Sequence, residues 1–493
     1  MSYEPPEGWI TATLGDLTTK GQYGWTTSAA TLSQGKGIRL LRTTDISSGH
    51  VDWSAVPGCR TVPPDSSKYL LSPGDIVVSR AGSVGVSHVL GPCPPSVFAS
   101  YLIRFRTLGG VPSGFVGLYL QTKDYWNSIA EEAAGIALPN INASKLSSLA
   151  LPVPPVAEQR RIVHAVENLL AQVDVARGRL AKLPVILKRF RQSVLAGAST
   201  GRLTDEWRER TPASHDDGVG RSRTADAAVD DLSDGDIPGS WSRVRAESLC
   251  EPTRPITYGV IKLGPKVDGG VPTLRSSNVR PLVIDLSSVK AIERRIADQY
   301  SRTYLRGGEV LVTVRGTLGG VAVASSDLTG YNISREVAQL PLLETVNPHF
   351  VMYAIASRAS QKWLTERAKG VAYTGINIED LRRLPLPLPP QPEQDEIVRR
   401  VDRLLALGDS IEHRVAAASA GADALAQSIL AKAFRGELVP TEAELARAEG
   451  RNYESAEALL TRIHTERNAS VLPKGRQRAR LAQGRPVSRG RTE

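Results

Sequence analysis

Basic, amide and hydroxyl side chains recur beside the predicted turns of this 493-residue chain. The candidate binding residues are Arg42, Thr43, Thr44, Arg80, Ser83, Asn142 and Lys145 in the first half, and Arg275, Ser276, Asn278, Arg315, Thr317 and Asn377 in the second. Arginine binds guanine and asparagine binds adenine through paired hydrogen bonds, and each such pair contributes about 1–3 kcal/mol of discrimination between bases. Glycine-rich turns expose backbone N–H groups that can bind phosphates. For any one residue a surface ion pair or a helix cap explains the position equally well. Only their occurrence in both halves favours a nucleic-acid-binding surface.

No motif of the chain supplies the groups for catalysis. A phosphate-binding Gly-x-x-x-x-Gly-Lys-Ser/Thr loop is absent, and no acidic residue stands two positions before a lysine. Asn347-Pro348-His349-Phe350 is similar to the Asn-Pro-Pro-Tyr/Phe motif of adenine methyltransferases, but it lacks the second proline and an upstream glycine-rich loop. A helix start with proline near its first turn explains it better. Three scattered cysteines and seven unpaired histidines predict no metal site, so we expect a binding protein without its own cofactor.

The composition is that of a globular chain. Hydrophobic residues make up 41% and charged residues 23%, and the longest apolar run is too short to span a membrane. The first residues have neither the basic start nor the apolar segment of a secretory signal, so we expect a cytoplasmic location. The net charge of +10 hints at nucleic acid, but the tail from Arg467 onward contributes eight basic residues and one acid. Charge alone therefore does not identify the partner.

The chain is an internal duplication whose back halves keep one register without a gap. Leu151–Pro155, followed by Glu158-Gln159, reappears as Leu386–Pro390 followed by Glu393-Gln394. Upstream of these motifs the match is looser and the register drifts slightly. The pattern predicts two modules, each with a diverged front half and a well-preserved back half.

The back halves carry the pattern of long coiled-coil helices. Apolar positions from Ile162 to Val194 alternate in steps of four and three, and the same steps recur from Ile397 to Ile429. The first stripe predicts a rod of about 50 Å, which Pro184 should kink or divide. We expect the two copies to pair with each other, although a helical hairpin within each module remains open.

The front halves alternate short apolar runs with turns and predict mixed α/β domains with an irregular sheet. Strands are expected at 38–41, 76–78, 101–105, 310–314 and 321–323, and helices at 115–120 and 350–355. The predicted organisation is a front domain at 1–152, a long helix at 153–203, a linker at 204–236, a second front domain at 237–387, a second long helix at 388–440, and a C-terminal helix with basic tail at 441–493.

These motifs resemble the DNA-specificity subunits of Type I restriction–modification systems. The resemblance rests on the two copies of Leu-Pro-x-Pro-Pro-x-x-Glu-Gln at 151–159 and 386–394, each leading into a heptad helix. The endings at 198–203 and 433–438 and the Gly-Asp-Ile-Val-Val-Ser-Arg-Ala-Gly-Ser-Val-Gly run at 74–85 support it. The second copy departs from that run, with Val-Arg-Gly at 314–316 where the first has Arg-Ala-Gly at 80–82.

The resemblance implies a fold and a set of partners. The fold is mixed α/β, with two pseudo-symmetric target-recognition domains joined by two long antiparallel coiled-coil helices. Each domain would read one half of an asymmetric double-stranded DNA site. Two methyltransferase subunits with S-adenosylmethionine and two restriction–translocase subunits with ATP and Mg²⁺ would supply the chemistry. The alternative function is a duplicated coiled-coil scaffold that binds other proteins without reading DNA, while a nuclease–methyltransferase fusion is disfavoured by the missing cofactor loop.

Overall fold

The computed structural model describes residues 5–32, 37–47, 49–133, 140–211, 237–368 and 375–471. They form two compact units, Met1–Leu180 with Ala418–Glu493, and Ala181–Ala417. Most of the predicted linker, 212–236, and the basic tail from residue 472 onward lie outside the described residues.

The first domain combines small sheets with short helices. Its strands are β1 (Ile10–Thr13), β2 (Gln22–Tyr23), β3 (Ala29–Ala30), β4 (Arg39–Leu41), β5 (Gly58–Cys59), β6 (Ile76–Ser79), β7 (Ser87–Val89), β8 (Ser96–Phe98), β9 (Leu102–Phe105) and β10 (Ala150–Val153). Its helices are α1 (Leu14–Leu17), α2 (Thr43–Ile46), α3 (Ser66–Tyr69), α4 (Ser113–Tyr119), α5 (Lys123–Ala133) and α6 (Ala143–Ser147). Two sheets have the orders β2-β9-β6-β7 and β3-β5-β4-β8, and β1 pairs with β10. Strand β6 lies inside its sheet with all four residues buried, which explains its uninterrupted apolar sequence.

The first back half forms two helices rather than one. They are α7 (Val156–Leu180) and α8 (Leu183–Thr200), and a short helix α9 (Asp205–Arg210) follows. The break falls where Pro184 was expected to kink or divide the rod, and Pro184 lies in the first turn of α8. Proline is tolerated there because the first N–H groups of a helix have no partner within the helix.

The second domain has the same kinds of element. Its strands are β11 (Ser242–Arg245), β12 (Thr257–Tyr258), β13 (Val271–Leu274), β14 (Val279–Arg280), β15 (Val283–Ile284), β16 (Lys290–Ile292), β17 (Val310–Thr313), β18 (Val321–Val323), β19 (Asn332–Ile333), β20 (Val337–Leu340) and β21 (Pro385–Leu388). Its helices are α10 (Arg294–Asp298), α11 (Pro348–Ala356), α12 (Arg358–Arg367) and α13 (Ile378–Arg382). The sheet orders are β12-β20-β17-β18 and β16-β13-β19, with separate pairs β14-β15 and β11-β21.

The second back half is one long helix, α14 (Gln391–Ala433), followed by α15 (Glu442–Glu449) and α16 (Ala456–Val471). The first part of α14, to Ala417, belongs to the second unit and the remainder to the first. Both copies of the Leu-Pro-x-Pro motif form the strand before the helix, paired antiparallel with the opening strand of the domain as β1–β10 and β11–β21. Proline is acceptable in these strands because a two-stranded ladder leaves one edge of each strand free.

In the first unit, α7 pairs with the end of α14. Arg177 forms an ion pair with Asp423 at 2.6 Å, and Arg161 reaches Glu442 at 2.7 Å. As residue numbers rise along α7 from Arg161 to Arg177, the numbers of their partners fall from Glu442 to Asp423. Helix α7 therefore runs antiparallel to the end of α14 and the segment that follows it. Ile162 and Val166 belong to the same apolar core as Ile429.

In the second unit, α8 pairs with the first part of α14 in the same way. Arg191 binds Asp409 at 2.6 Å, and the guanidinium of Arg400 donates to the carbonyl of Leu203 at 2.6 Å. Gly408 occupies a seam position without a side chain, and the Phe190 ring packs beside it, 3.6 Å from where a Cβ would stand. Antiparallel pairing between the two copies is thus confirmed in each unit, in place of a hairpin within one module.

The domains confirm the mixed α/β expectation, and their cores extend onto the helices. The largest core of the first unit joins residues of β6, β9 and α4 to α7 and α14, and that of the second joins β17, β20 and α11 to α8 and α14. Within the described ranges, no helix is long and apolar enough to cross a lipid bilayer.

Candidate nucleic-acid interface

An arginine lies over a tyrosine ring at the edge of the first domain. Arg80 follows β6, and its guanidinium carbon stands 5.0 Å from the centre of the Tyr23 ring, a cation–π geometry. Its Nε donates weakly to the side-chain oxygen of Asn140 at 3.4 Å. The Tyr23 hydroxyl accepts from the backbone N–H of Ala143 at 3.0 Å, which attaches the ring to the start of α6.

The second domain has the same arrangement. Arg315 follows β17, and its guanidinium carbon stands 5.7 Å from the centre of the Tyr258 ring. Tyr258 lies on β12 opposite Ala338, as Tyr23 lies on β2 opposite Ile103. We call Arg80 with Tyr23, and Arg315 with Tyr258, the Arg–Tyr pairs.

Both tyrosines were missed by sequence reasoning, although a signal was present. Tyr-Gly occurs at 23–24 and at 258–259, in the same register as the duplicated helix motifs. Each glycine is required by close packing: a Cβ at Gly24 would lie 2.2 Å from the Ala99 carbonyl oxygen, and one at Gly259 would lie 1.8 Å from that of Ile333. A repeated glycine fixed by backbone contact places the tyrosine before it identically in both domains.

The predicted turn residues Ser83 and Thr317 are exposed beside the Arg–Tyr pairs. Each follows a glycine, Gly82 or Gly316, with a φ of +76° that side chains other than glycine rarely adopt. The structure thus brings together a hydroxyl, a glycine turn and a guanidinium that has no ion pair among the described residues, at the same edge in each domain.

Arg42, Thr43 and Thr44 begin helix α2, and the arginine is already engaged. Two nitrogens of its guanidinium donate to the Asp45 carboxylate at 2.7 and 3.0 Å, and this hydrogen bonding raises the pKa of Arg42 above its usual range. Thr44 is exposed and Thr43 half-buried. An ion pair three residues apart is the ordinary structural role for such an arginine, which leaves Thr44 as the more accessible group.

The corresponding residues of the second domain fold differently. Asn278 is fully buried, where its oxygen accepts from the Arg275 N–H at 3.0 Å and its nitrogen donates to the Asp285 carbonyl at 3.0 Å. Ser276 donates its hydroxyl to Glu336 at 2.8 Å and lies beside Gly316. Asn278 therefore holds its loop, whereas Ser276 lies next to the glycine turn.

Asn142 and Asn377 are both helix caps. The Asn142 side-chain oxygen accepts from the Lys145 N–H at 2.9 Å, and that of Asn377 accepts from the Glu379 N–H at 3.4 Å. The Lys145 ammonium is paired with Glu132 at 2.7 Å. Both asparagines are exposed close to the Arg–Tyr pairs, since residue 140 bridges to Ala81 and residue 375 to Arg315.

The glutamate of each repeated motif anchors its domain to the helices. Glu158 is buried and accepts from the Trp9 indole N–H at 2.9 Å and from the Glu442 backbone N–H at 2.8 Å. Burial raises the pKa of Glu158, although these hydrogen bonds and the nearby Arg161 oppose the shift.

In the second unit Glu393 accepts from the Trp241 indole at 2.8 Å and from the Thr204 hydroxyl at 2.7 Å. Arg208 of α9 forms an ion pair with it. Thr204 and Arg208 lie in the segment predicted as a linker. The Trp–Glu contact explains why each module opens near a tryptophan and why the motif carries a glutamate.

The parts of the chain with described coordinates contain no cluster of three or more His, Cys, Asp or Glu side chains that could hold a metal ion. The arrangement offers cations, hydroxyls and amides on loops, which are groups that can hydrogen-bond to phosphates and base edges.

Comparison with protein families gives the class of this chain. The family model of the Type I restriction modification DNA specificity domain matches residues 6–185 and again 261–417. The chain belongs to this family, and the resemblance found in its sequence is confirmed.

Individual relatives include the Type I restriction enzyme EcoBI specificity subunit of Escherichia coli, which is 37% identical over 353 residues, covering 70% of each chain. The EcoKI specificity subunit of Escherichia coli strain K12 is 31% identical over 489 residues, covering 94% of this chain and 97% of the relative.

Solved structures share the fold. A chain from a study of complex assembly and conformational transition of the type I R-M system has a TM-score of 0.61 at 18% identity, covering 88% of this chain and 100% of that one. The HsdS subunit from Thermoanaerobacter tengcongensis has a TM-score of 0.50 at 19% identity, covering 89% and 99%. The predicted fold class is therefore confirmed.

Proposed function

We propose that this chain is the non-catalytic, DNA-reading specificity subunit of a Type I restriction–modification complex, and that each of its domains reads one half of a bipartite, asymmetric site. The observation that carries the proposal is the contrast within the duplication. The anchoring contacts of Glu158 and Glu393 are repeated, whereas the loops beside the Arg–Tyr pairs differ. Two domains that are attached in the same way but carry different loops are suited to reading two half-sites of different sequence.

The candidate reading residues differ between the domains in structure as well as in type. Thr44 lies in the first turn of α2, whose start is capped through Arg42 and Asp45, whereas Ser276 is held by Glu336 on a loop. Direct reading of bases depends on which donors and acceptors a surface presents, so these two surfaces should select different bases. We keep residues 1–152 and 237–387 as the two recognition domains.

The paired helices would act as the spacer between the half-sites. Helix α14 is continuous over 43 residues and contributes to both units. With about 1.5 Å of rise per residue it would set a fixed length of roughly 65 Å.

The finer composition of the complex is part of the proposal. The two repeated helical segments that follow the Leu-Pro-x-Pro motifs would dock two methyltransferase subunits that carry S-adenosylmethionine. Two restriction subunits that hydrolyse ATP with Mg²⁺ would join them, and the complex would act in the cytoplasm. The chain itself would then need no cofactor.

An exchange of domains tests the proposal. The assembled methyltransferase is expressed with this chain or with a chimera in which residues 1–150 come from another family member, and the methylated adenines of the host genome are located by single-molecule sequencing. We expect a bipartite motif in which the chimera changes only one half. A change in both halves, or methylation independent of sequence, would refute the assignment of one domain to one half-site.

A further inference from the structure

The Arg–Tyr pairs are formed from different backbone positions in the two domains. The Arg80 carbonyl accepts from the Ile141 N–H at 3.0 Å, and the matching carbonyl of the second domain, which accepts from Ile376 at 2.8 Å, belongs to Val314. Arg315 is therefore one residue further along than Arg80, yet its guanidinium lies over the equivalent tyrosine. The side-chain group has been kept in place although the residue that supplies it has shifted.

The charges of the Arg–Tyr pairs are not neutralised within the described structure. Arg80 and Arg315 form no ion pair with any described carboxylate, and Arg315 is exposed. By contrast, Arg42 is bound by Asp45 and Lys145 by Glu132, each at 2.7 Å. Arg275 also has no ion pair with a described carboxylate, but its guanidinium donates to the Ser288 carbonyl at 3.3 Å. The two arginines that lie on equivalent tyrosines are thus candidate cations still able to bind an external anion.

A tyrosine ring holds a guanidinium by its face and leaves its N–H edge available. The planar fork of arginine matches two oxygens of one phosphate, so a guanidinium oriented in advance loses less freedom when it binds. Tyr23 is itself fixed by the Ala143 N–H and by the contact of Gly24 with Ala99. The ring therefore acts as a rigid support for the arginine.

We propose that Arg80 and Arg315 each bind a DNA backbone phosphate, one in each half-site, and that Tyr23 and Tyr258 are positioning residues for this contact. The inference rests on the proposed DNA-reading function. Two half-sites of different sequence have no bases that must agree, but both present the same sugar–phosphate backbone. A group kept in both domains is therefore suited to the backbone, while the differing loops are suited to the bases.

Replacing single phosphates of the DNA by uncharged methylphosphonates tests the contact directly. The chain in complex with its methyltransferase subunits is titrated with duplexes of the methylated motif that carry one methylphosphonate at each position in turn. For the wild type, we expect one position in each half-site to weaken binding roughly tenfold. For Arg80→Ala, binding to the unmodified duplex should weaken by a similar factor, and the position in the first half-site should lose its effect.

The two arginines are matched controls for each other. Arg315→Ala should abolish the effect of the position in the second half-site and leave the first unchanged. Each variant should also lower the slope of log affinity against log salt by about 0.9, the value for one phosphate contact. Arg80→Gln, which keeps hydrogen-bonding groups but removes the charge, is measured beside Arg80→Ala to separate loss of charge from loss of folding.

Three results would overturn the inference: unchanged affinity in Arg80→Ala and Arg80→Gln, methylphosphonate effects that persist in them, or relaxed base preference without loss of a phosphate effect. Equal binding of the wild type to the motif and to a shuffled duplex would instead refute the proposed function. The phosphate scan would still decide the role of the arginines in that case.

Discussion

Replacing Pro112 with asparagine should stabilise the first unit, because Pro112 leaves a buried acceptor unpaired. In the second unit the Asn347 N–H donates to the side-chain oxygen of Gln394 at 2.8 Å. Pro112 occupies the place of Asn347 in the first copy of the repeat and has no N–H to donate. The corresponding oxygen of Gln159 is buried without a hydrogen-bond partner in the described structure, while its nitrogen donates to the Pro154 carbonyl at 2.8 Å.

The magnitude follows from three contributions. Pairing a buried acceptor contributes about 1–2 kcal/mol, and an asparagine cap at the start of α4 adds about 1 kcal/mol. Loss of the proline restriction on the unfolded chain costs about 0.4–1 kcal/mol. The backbone permits the change, since Pro112 has φ −64° and ψ 129° and Asn347 has φ −71° and ψ 117°. We expect Pro112→Asn to raise the free energy of unfolding by about 1–2.5 kcal/mol.

The assay is urea unfolding of the full chain, with hydrogen exchange of segment 113–120 to locate the effect in the first unit. Pro112→Ala isolates the new donor from the cap and should be neutral to slightly stabilising. Asn347→Ala removes the cap, whose oxygen accepts from His349 at 2.9 Å, together with the hydrogen bond that the Asn347 amide donates to Asp395 at 2.7 Å, and should cost about 1–2 kcal/mol. Lower stability of Pro112→Asn, or no change in exchange at 113–120, would refute the explanation of the unpaired oxygen.

Three further changes test other parts of the structure. Glu158→Gln should destabilise the first unit by about 2–3 kcal/mol in urea, because its amide NH₂ would face an N–H of Trp9 or Glu442; the exposed Glu167→Gln is the control, and equal losses would contradict the anchoring role. Arg399 and Arg400 lower the pKa of Glu396 to about 2, so its contribution to stability is present above pH 4.5 and is lost as pH falls towards 2. Glu396→Gln should therefore reduce the change of melting temperature with pH over that range. A pH profile equal to that of the wild type would show that the ion pairs of Glu396 with Arg399 and Arg400 do not contribute to stability. Deleting one heptad within 162–194 should alter the gap of the methylated motif or abolish methylation; an unchanged gap would show that the helices do not set the spacing.

The helices and their pairing could be predicted from the sequence because packing repeats along them. A seam held in steps of three and four requires a partner, and the duplicated motif identified the second copy as that partner. The division near Pro184 followed from the missing proline N–H. Short strands such as β6 and β17 were located by their continuous apolar sequence, since both are buried on two faces.

The candidate interface was only partly predictable. Arg80 and Arg315 were selected for their position beside glycine turns, but their one-residue shift hid their common contact with a tyrosine. Asn278 was selected as a surface residue although its amide is used inside the loop. Thr204 and Arg208 lie in a polar segment, and their hydrogen bonds to Glu393 leave no apolar pattern in the sequence.

The Trp–Glu contact has a consequence for how such proteins acquire new targets. Each recognition domain meets its supporting helix through a shared apolar core, through an indole N–H bonded to one buried carboxylate, and through the short β1–β10 or β11–β21 ladder that leads into the helix. An incoming domain that begins with a suitably placed tryptophan and strand, and that presents an apolar face to the helices, satisfies the same attachment whatever its loops contain. Recombination at this junction can therefore exchange one half of the target sequence while the attachment to the helix stays intact.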